Sequence, residues 1–272
     1  MRILVTGRNG QVGDALTRSL QGLGDVVALE RSQLDLADPD ALRTAMRELQ
    51  PSVVINAAAY TAVDAAESDE ETAFRINAQA PRVLAEEAER LGAALIHYST
   101  DYVFDGSKDG EQAITEVGGN HLILRTSWVY GLHGKNFLLT MLRLAETRDE
   151  LSIVDDQIGA PTWSQTLADA TLAIVNKAGA PHQMAEMSGI YHCCAAGHTS
   201  WFGFAQAIFA HPMITRRPAL KAITTADYPT PAARPQNSVM DLHKFEAAFG
   251  PLPSWELALD HCLRGLPLAS PA

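Results

Sequence analysis

Hydrophobic positions along this chain fall into two alternating patterns. Short apolar runs of strand length occupy 3–5, 26–29, 53–55, 94–98 and 122–125, and the segments between them carry apolar residues at helical spacing. Val12, Ala15, Leu16 and Leu20 form the first helical stripe. Leu42, Ala45, Met46 and Leu49 form the second, with Asp38 suited to cap it and Pro39 to its first turn. A third helix over about 77–91 presents Val83, Leu84, Ala88 and Leu91, and Gly92 can end it. This alternation predicts βαβ units and a parallel sheet. From about residue 155 the pattern breaks into shorter elements with Pro161, Pro181, Pro212 and Pro218 between them. The expected architecture is α/β: a doubly wound parallel sheet over 1–155, followed by a smaller ligand-covering lobe over 156–272, with an approximate boundary and interleaved lobes.

The first strand runs straight into Thr6-Gly-Arg-Asn-Gly-Gln-Val-Gly13 and then a helix. Glycines at 7, 10 and 13 let the backbone turn tightly, approach a pyrophosphate and pack helix on strand, as in a Rossmann-type dinucleotide site. The helix N-terminus adds free N–H groups and a positive dipole end. Asn9, Gln11 and Val12 belong to the same turn. The alternative is a structural strand-to-helix turn that binds nothing. Glu30 closes the second strand, 23 residues beyond Gly7, where an acidic side chain accepts hydrogen bonds from ribose hydroxyls and favours NADH. Arg31, or Arg8 in the turn, can instead hold a 2′-phosphate and admit NADPH. Asp35 and Leu36 are candidates for the edge of the adenine, or an ordinary exposed loop.

Composition narrows the classes. At 272 residues and 47% hydrophobic, the chain can bury a substantial core. A formal charge of −11 without a basic cluster argues against nucleic acid. No segment reads as a membrane span, and the first strand begins almost at the N-terminus, so a cytoplasmic protein is expected. Cys193, Cys194 and Cys262 make neither a disulfide framework nor a zinc site. The nine histidines lack metal-ligand spacing, and no catalytic metal is expected, while a structural ion at an interface stays open.

Three further stretches fall at predicted strand ends, the rim at which such sheets bind ligands: Asn56-Ala-Ala-Ala-Tyr60, Ser99-Thr-Asp-Tyr-Val-Phe-Asp-Gly106 and Arg125-Thr-Ser-Trp-Val-Tyr-Gly131. Ala57, Ala58 and Ala59 leave room for a flat cofactor beside the backbone, with Tyr60 at the end of that run; alanines also simply pack well. Together with Thr6 to Gly13, Asp156-Gln-Ile-Gly-Ala-Pro-Thr162 and Tyr228-Pro-Thr-Pro-Ala-Ala-Arg-Pro-Gln-Asn-Ser238, these stretches resemble the dTDP-4-dehydrorhamnose reductases, extended short-chain dehydrogenase/reductases acting on nucleotide sugars. The resemblance covers nearly the whole chain. It implies reduction of dTDP-4-dehydro-L-rhamnose to dTDP-L-rhamnose with NADPH or NADH, for cell-surface polysaccharide, and it implies a homodimer. It further implies that Thr100 hydrogen-bonds the reacting carbonyl and that Gln157 and Arg234 meet the nucleotide half of the substrate. Tyr102 and Trp128, aromatic groups at strand ends, are expected to line the sugar pocket, with core packing as the alternative. Asn136 and Phe137 open the next helix and are further substrate candidates, although Asn136 also reads as an ordinary N-cap.

One departure bears on mechanism. The family uses a Tyr-x-x-x-Lys pair between the strand ending in Ser-Thr-Asp and the one before Arg-Thr-Ser-Trp, because i and i+4 share a helix face and the ammonium lowers the phenol pKa. No tyrosine here is followed four residues on by lysine. Only 107–120 separate Gly106 from the next strand, too few for an active-site loop and a full helix, so roughly two dozen residues are missing by that pattern. Either a segment of the protein is not carried in this sequence, or the deletion is genuine. A genuine deletion would allow a dinucleotide-binding regulatory or scaffold subunit without a proton donor. Another nucleotide sugar, or an epimerase-like activity, is a third possibility.

Overall fold

The computed structural model describes residues 1–101, 109–179 and 181–266. The first half alternates as the hydrophobic pattern predicts: β1 (Arg2–Thr6), α1 (Gln11–Ser19), β2 (Asp25–Leu29), α2 (Pro39–Leu49) and β3 (Val53–Asn56). Two short helices, α3 (Val63–Ala66) and α4 (Glu70–Phe74), lead through a π-helical turn at Arg75–Gln79 into α5 (Ala80–Leu91), so the helix expected from about 77 begins as a π turn. Then come β4 (Ala94–Thr100), α6 (Asp109–Val117) and β5 (His121–Thr126). Asp38 caps α2 by accepting from the Asp40 and Ala41 N–H groups at 3.0 Å each. Gly92 ends α5 at φ +66°, a left-handed conformation open to glycine.

The second half contains β6 (Val129–Tyr130), α7 (Phe137–Ala145), β7 (Glu150–Val154), β8 (Ile158–Gly159), β9 (Thr162–Trp163) and α8 (Ser164–Ala178). It continues with β10 (Gly189–His192), β11 (Thr199–Ser200), α9 (Trp201–Ala210), β12 (Ala219–Ile223), α10 (His243–Phe249) and α11 (Trp255–Arg264). The turn after α9 is short and closed, with the Ile214 N–H on the His211 carbonyl at 3.0 Å.

Six parallel strands form the main sheet in the order β10-β5-β4-β3-β1-β2. The chain leaves β1 for β2 on one side and returns to β3 on the other, which opens a crevice at the carboxyl ends of β1 and β3. Alternating side chains feed two cores. Ile3, Val5, Val53, Ile55, Ile96, Leu122 and Leu124 pack with α1 and α8, whereas Leu4, Val54, Leu95 and Ile123 pack with α2, α5 and α6. A third core of Tyr130, Leu138, Met141, Phe204, Ile208, Trp255 and Leu259 holds the smaller lobe together.

Elements from the two sides of residue 155 interleave. Strand β10 completes the main sheet against β5, and Leu167, Ile174 and Val175 of α8 pack into its core. Conversely α7 and β7, from before residue 155, build the smaller lobe. The physical reason is that α1 and the sheet need a second helical cover on that face, and the chain supplies it only after its first excursion into the lobe.

Candidate active site

Three glycines shape the crevice. Gly7 has φ +75°, and a Cβ added there would lie 3.0 Å from the Ala58 backbone. At Gly13 a Cβ would lie 2.0 Å from the Gly7 carbonyl oxygen. The Gly10 N–H closes the turn onto that carbonyl at 2.8 Å, and α1 begins with no side-chain cap. A backbone bare of side chains, ending in uncapped helix N–H groups, fits the pyrophosphate of a dinucleotide. Gln11, Val12 and Gly13 are the first residues of that helix.

The adenosine side is equally polar. Glu30 accepts hydrogen bonds from Ser32 and Asn9, which hold its carboxyl below the usual range. Arg31 is exposed and lies 3.5 Å from Asp35, whose Oδ1 accepts from the Ala37 N–H at 3.0 Å. Leu36 is buried in the α2 core, so its side chain serves packing. Arg8, Asn9, Asp14, Thr17, Arg18 and His133 line an open depression of about 520 Å³ beside the turn. Ala57 and Ala58 are half-buried against the sheet and Ala59 is exposed. Tyr60 is fixed by reciprocal bonds: its N–H donates to Asn77 Oδ1 at 2.8 Å, and Asn77 Nδ2 donates to its carbonyl at 3.1 Å.

Beneath this floor the strands carry a buried polar row. Thr6 Oγ donates to Asn56 Oδ1 at 2.6 Å, and Asn56 Nδ2 donates to His97 Nδ1 at 3.0 Å. Burial lowers the His97 pKa to about 4, partly opposed by Glu111, so the ring is neutral and Nδ1 can accept. Glu111 of α6 is buried too. Its carboxylate accepts from Ser99 Oγ at 2.6 Å and from both arms of Arg125, at 2.8 and 2.6 Å. Burial alone would raise that carboxyl, but the Arg125 and Ser99 hydrogen bonds outweigh it and hold it low. The pair ties α6 to the ends of β4 and β5, next to Thr100.

Thr100 is exposed at the carboxyl end of β4, with its hydroxyl donating to Asp101 at 2.9 Å. Tyr102 lies outside the described residues. Trp128, just past β5, has φ +49°, a conformation costly for a bulky residue by about 1–3 kcal/mol and characteristic of functional sites. Its ring stacks on Trp201 with centroids 3.6 Å apart, and a Cβ at Gly159 would strike it at 2.5 Å. Phe137 lies against Trp201 at 4.7 Å. Gln157 is buried and accepts from Trp201 Nε1 at 3.2 Å while donating to Thr225 Oγ at 3.1 Å. Arg234 bonds Asp64 at 2.7 Å through Nη2, while Nη1 is buried without a partner among the described residues.

Asn136, a substrate candidate that also reads as an N-cap, does cap α7. Its Oδ1 caps α7 by accepting from the Leu139 N–H at 3.0 Å, and its Nδ2 lies within hydrogen-bonding distance of Gln11 Oε1 and the Gly131 and His133 carbonyls. Both ends of the amide are engaged within the protein, toward the glycine turn. Trp201, Glu111 and His97 were not singled out from the sequence. Ser200 before an apolar run signals only a helix start, and nothing local foretells that Trp201 meets Trp128.

All three cysteines are buried and free. Among the described residues no three His, Cys, Asp or Glu side chains could hold a metal, and no helix is long and apolar enough to cross a membrane.

Comparison with known proteins agrees with this geometry. The family described as RmlD substrate binding domain matches residues 1–109 and 107–267, two segments that meet between β4 and α6. The dTDP-4-dehydrorhamnose reductase of Burkholderia thailandensis is 46% identical over 297 aligned positions, covering 98% of this chain and 99% of the relative. That of Escherichia coli is 39% identical, covering 98% of each. Among solved structures, the dTDP-4-dehydrorhamnose reductase of Bacillus anthracis in complex with NADP superimposes with a TM-score of 0.88 at 32% identity, over 97% of this chain and 99% of that one. These alignments extend beyond the 272 residues of the chain, and the family match breaks where the β4–α6 connection is short.

Proposed function

The chain belongs to the dTDP-4-dehydrorhamnose reductase family, and on that premise we propose that it reduces the C4 ketone of dTDP-4-dehydro-L-rhamnose to give dTDP-L-rhamnose. It is an oxidoreductase using NADPH or NADH, in the supply of an activated sugar for polysaccharide. The observation that carries this reading is the meeting of three features at one sheet edge: the glycine turn, the exposed Thr100 hydroxyl at the end of β4, and the Trp128–Trp201 stack of the smaller lobe.

The nicotinamide, when bound, supplies the hydride. Gly7, Gly10 and Gly13, with the first N–H groups of α1, take the pyrophosphate. Asn9, Glu30 and Arg31 surround the adenosine ribose, Asp35 and the backbone of Leu36 border the adenine, and Ala57, Ala58, Ala59 and Tyr60 form the floor. Thr100 turns its hydroxyl from Asp101 to the ketone oxygen, where negative charge grows as hydride arrives. Trp128 and Phe137 wall the sugar, and Gln157 and Arg234 orient the nucleotide diphosphate.

The reduction also needs a proton on the new alkoxide. The resemblance assigns that proton to a Tyr-x-x-x-Lys pair, which does not occur in this sequence. The Burkholderia thailandensis and Escherichia coli relatives are named as reductases, which favours an enzyme over the alternative of an inactive subunit. The resemblance further supports a cytoplasmic homodimer, which cell fractionation and sedimentation velocity test.

The deciding experiment incubates the chain with NADPH and dTDP-4-dehydro-L-rhamnose and follows loss of reduced nicotinamide together with appearance of dTDP-L-rhamnose. Turnover abolished by Gly10→Val supports the reading. NADPH binding with no product at any enzyme concentration overturns it.

A further inference from the structure

The loop between β6 and α7, residues 131–136, belongs to the smaller lobe yet sits on the first turn of α1. Asn136 Nδ2 donates to Gln11 Oε1 at 2.9 Å, and Gln11 Nε2 donates to the Val129 carbonyl at 3.4 Å. One turn further along α1, Asp14 Oδ2 lies 3.1 Å from His133 Nε2. The fit is close at two glycines. A Cβ at Gly131 would stand 2.8 Å from Ser164 Oγ and 3.6 Å from Gln11 Oε1, and one at Gly134, where φ is +77°, would stand 3.4 Å from Gln11 Cγ. Gly131 thus packs tightly on Ser164 of α8, and both glycines lie at contact distance from Gln11.

Gln11 is the first residue of α1, and its backbone belongs to the turn that receives the pyrophosphate. On the other side, Asn136 is the N-cap of α7, whose first residue Phe137 touches Trp201, which stacks on Trp128. We propose that Gln11 and Asn136 form a positioning pair through which the substrate lobe grips the dinucleotide turn, so that the turn is held ready for the cofactor by both lobes. The inference rests on the dinucleotide reading of the glycine turn and assigns that site a component outside the turn itself. Neither side chain is given any part in the chemical step.

The structural alternative is that Asn136 does nothing but cap α7. The two roles use opposite ends of its amide, the cap using Oδ1 and the clasp Nδ2. Asn136→Ser separates them, since serine is an equally good N-cap but too short to reach Gln11. Gln11→Ala removes the partner from the other side while leaving α1 a strong helix former.

The experiment measures NADPH dissociation constants by fluorescence titration for the parent chain, both single variants and the double variant, with melting temperatures alongside. The expected result is a five- to twentyfold weaker NADPH complex for each single variant, a double variant no weaker than the poorer single one, and melting within a few degrees of the parent. NADPH affinity unchanged in Asn136→Ser, or losses that multiply in the double variant, would overturn the proposal. So would weakening matched by a large fall in melting temperature in every variant, since capping alone explains that. A parent chain that binds no NADPH would overturn the dinucleotide reading itself, and this inference with it.

Discussion

At the scale of single residues, the exposed hydroxyl of Thr100 and the bare backbone of the glycine turn make opposite kinetic predictions. Thr100→Val is nearly isosteric and removes only the donor, whose hydrogen bond strengthens as the ketone oxygen gains charge. It should lower kcat by about ten- to a thousandfold while leaving the NADPH dissociation constant within about twofold. Steady-state kinetics with a parallel NADPH titration check this, and unchanged turnover would remove Thr100 from the mechanism. Gly10→Val should do the reverse. A Cβ there would crowd the Gly7 carbonyl at 3.1 Å, a contact eased by a shift of a few tenths of an ångström in the turn, and the added methyls fill the approach to it. The variant should melt within about 10 °C of the parent yet give no saturable NADPH titration. Gly13 cannot serve as this control, since a Cβ there would overlap the Gly7 carbonyl at 2.0 Å and disturb the fold itself.

At the scale of elements, the periodicities were enough to locate β1 to β5 and the Asp38 cap, because these depend on neighbours within one turn or one strand. The polar row across the sheet was invisible, because register alone brings Thr6, Asn56 and His97 side by side. The same holds for Glu111 and Arg125, 14 residues apart in sequence and paired only because α6 folds back on β5. Trp201 and Gln157 meet from separate parts of the smaller lobe, which no local pattern encodes.

Two predictions follow from this level. Glu111→Ala would remove the bidentate acceptor of Arg125 and the Ser99 bond at the end of β4, costing about 3–5 kcal/mol, read as a shift in the urea midpoint. His97 gives a pH signature. Its folded pKa of about 4 lies below the unfolded value of 6.5, so between those values the unfolded chain binds more protons and stability falls as the solution is acidified. Full stability is present above about 6.5, and a loss of up to about 3 kcal/mol accumulates by pH 4. Glu111 adds to the acid side: its carboxyl is held below its usual value of 4.5, so its contribution is present above about 4.5 and is lost as the pH falls through the lower folded value. His97→Asn keeps an acceptor for Asn56 Nδ2 and should flatten the curve between pH 6.5 and 4 in urea melts. A slope identical to the parent would show that another group governs acid sensitivity.

At the scale of the whole molecule, the two lobes are stitched by chain crossing rather than joined in series: β10 and α8 return to the sheet after the lobe has begun, and the 131–136 loop reaches back to α1. The described contacts of the dinucleotide half come from other parts of the chain than the β4–α6 connection, where the family match divides and the Burkholderia thailandensis relative aligns over 297 positions against 272 residues here. Binding and chemistry should separate accordingly. The glycine turn and its Gln11–Asn136 contact lie in other segments of the chain, whereas the resemblance assigns to that connection the tyrosine that protonates the alkoxide and the lysine that lowers the tyrosine's pKa. Inserting the corresponding segment of the Burkholderia thailandensis reductase between Lys108 and Asp109 should leave the NADPH dissociation constant within about threefold and raise kcat by about 10²–10⁴, the contribution of a positioned general acid. Replacing the inserted tyrosine by phenylalanine should cancel the gain without changing NADPH affinity. A rise in kcat that survives that replacement would mean that the segment acts by closing the site to water, and that the proton already has its donor among the residues this chain retains.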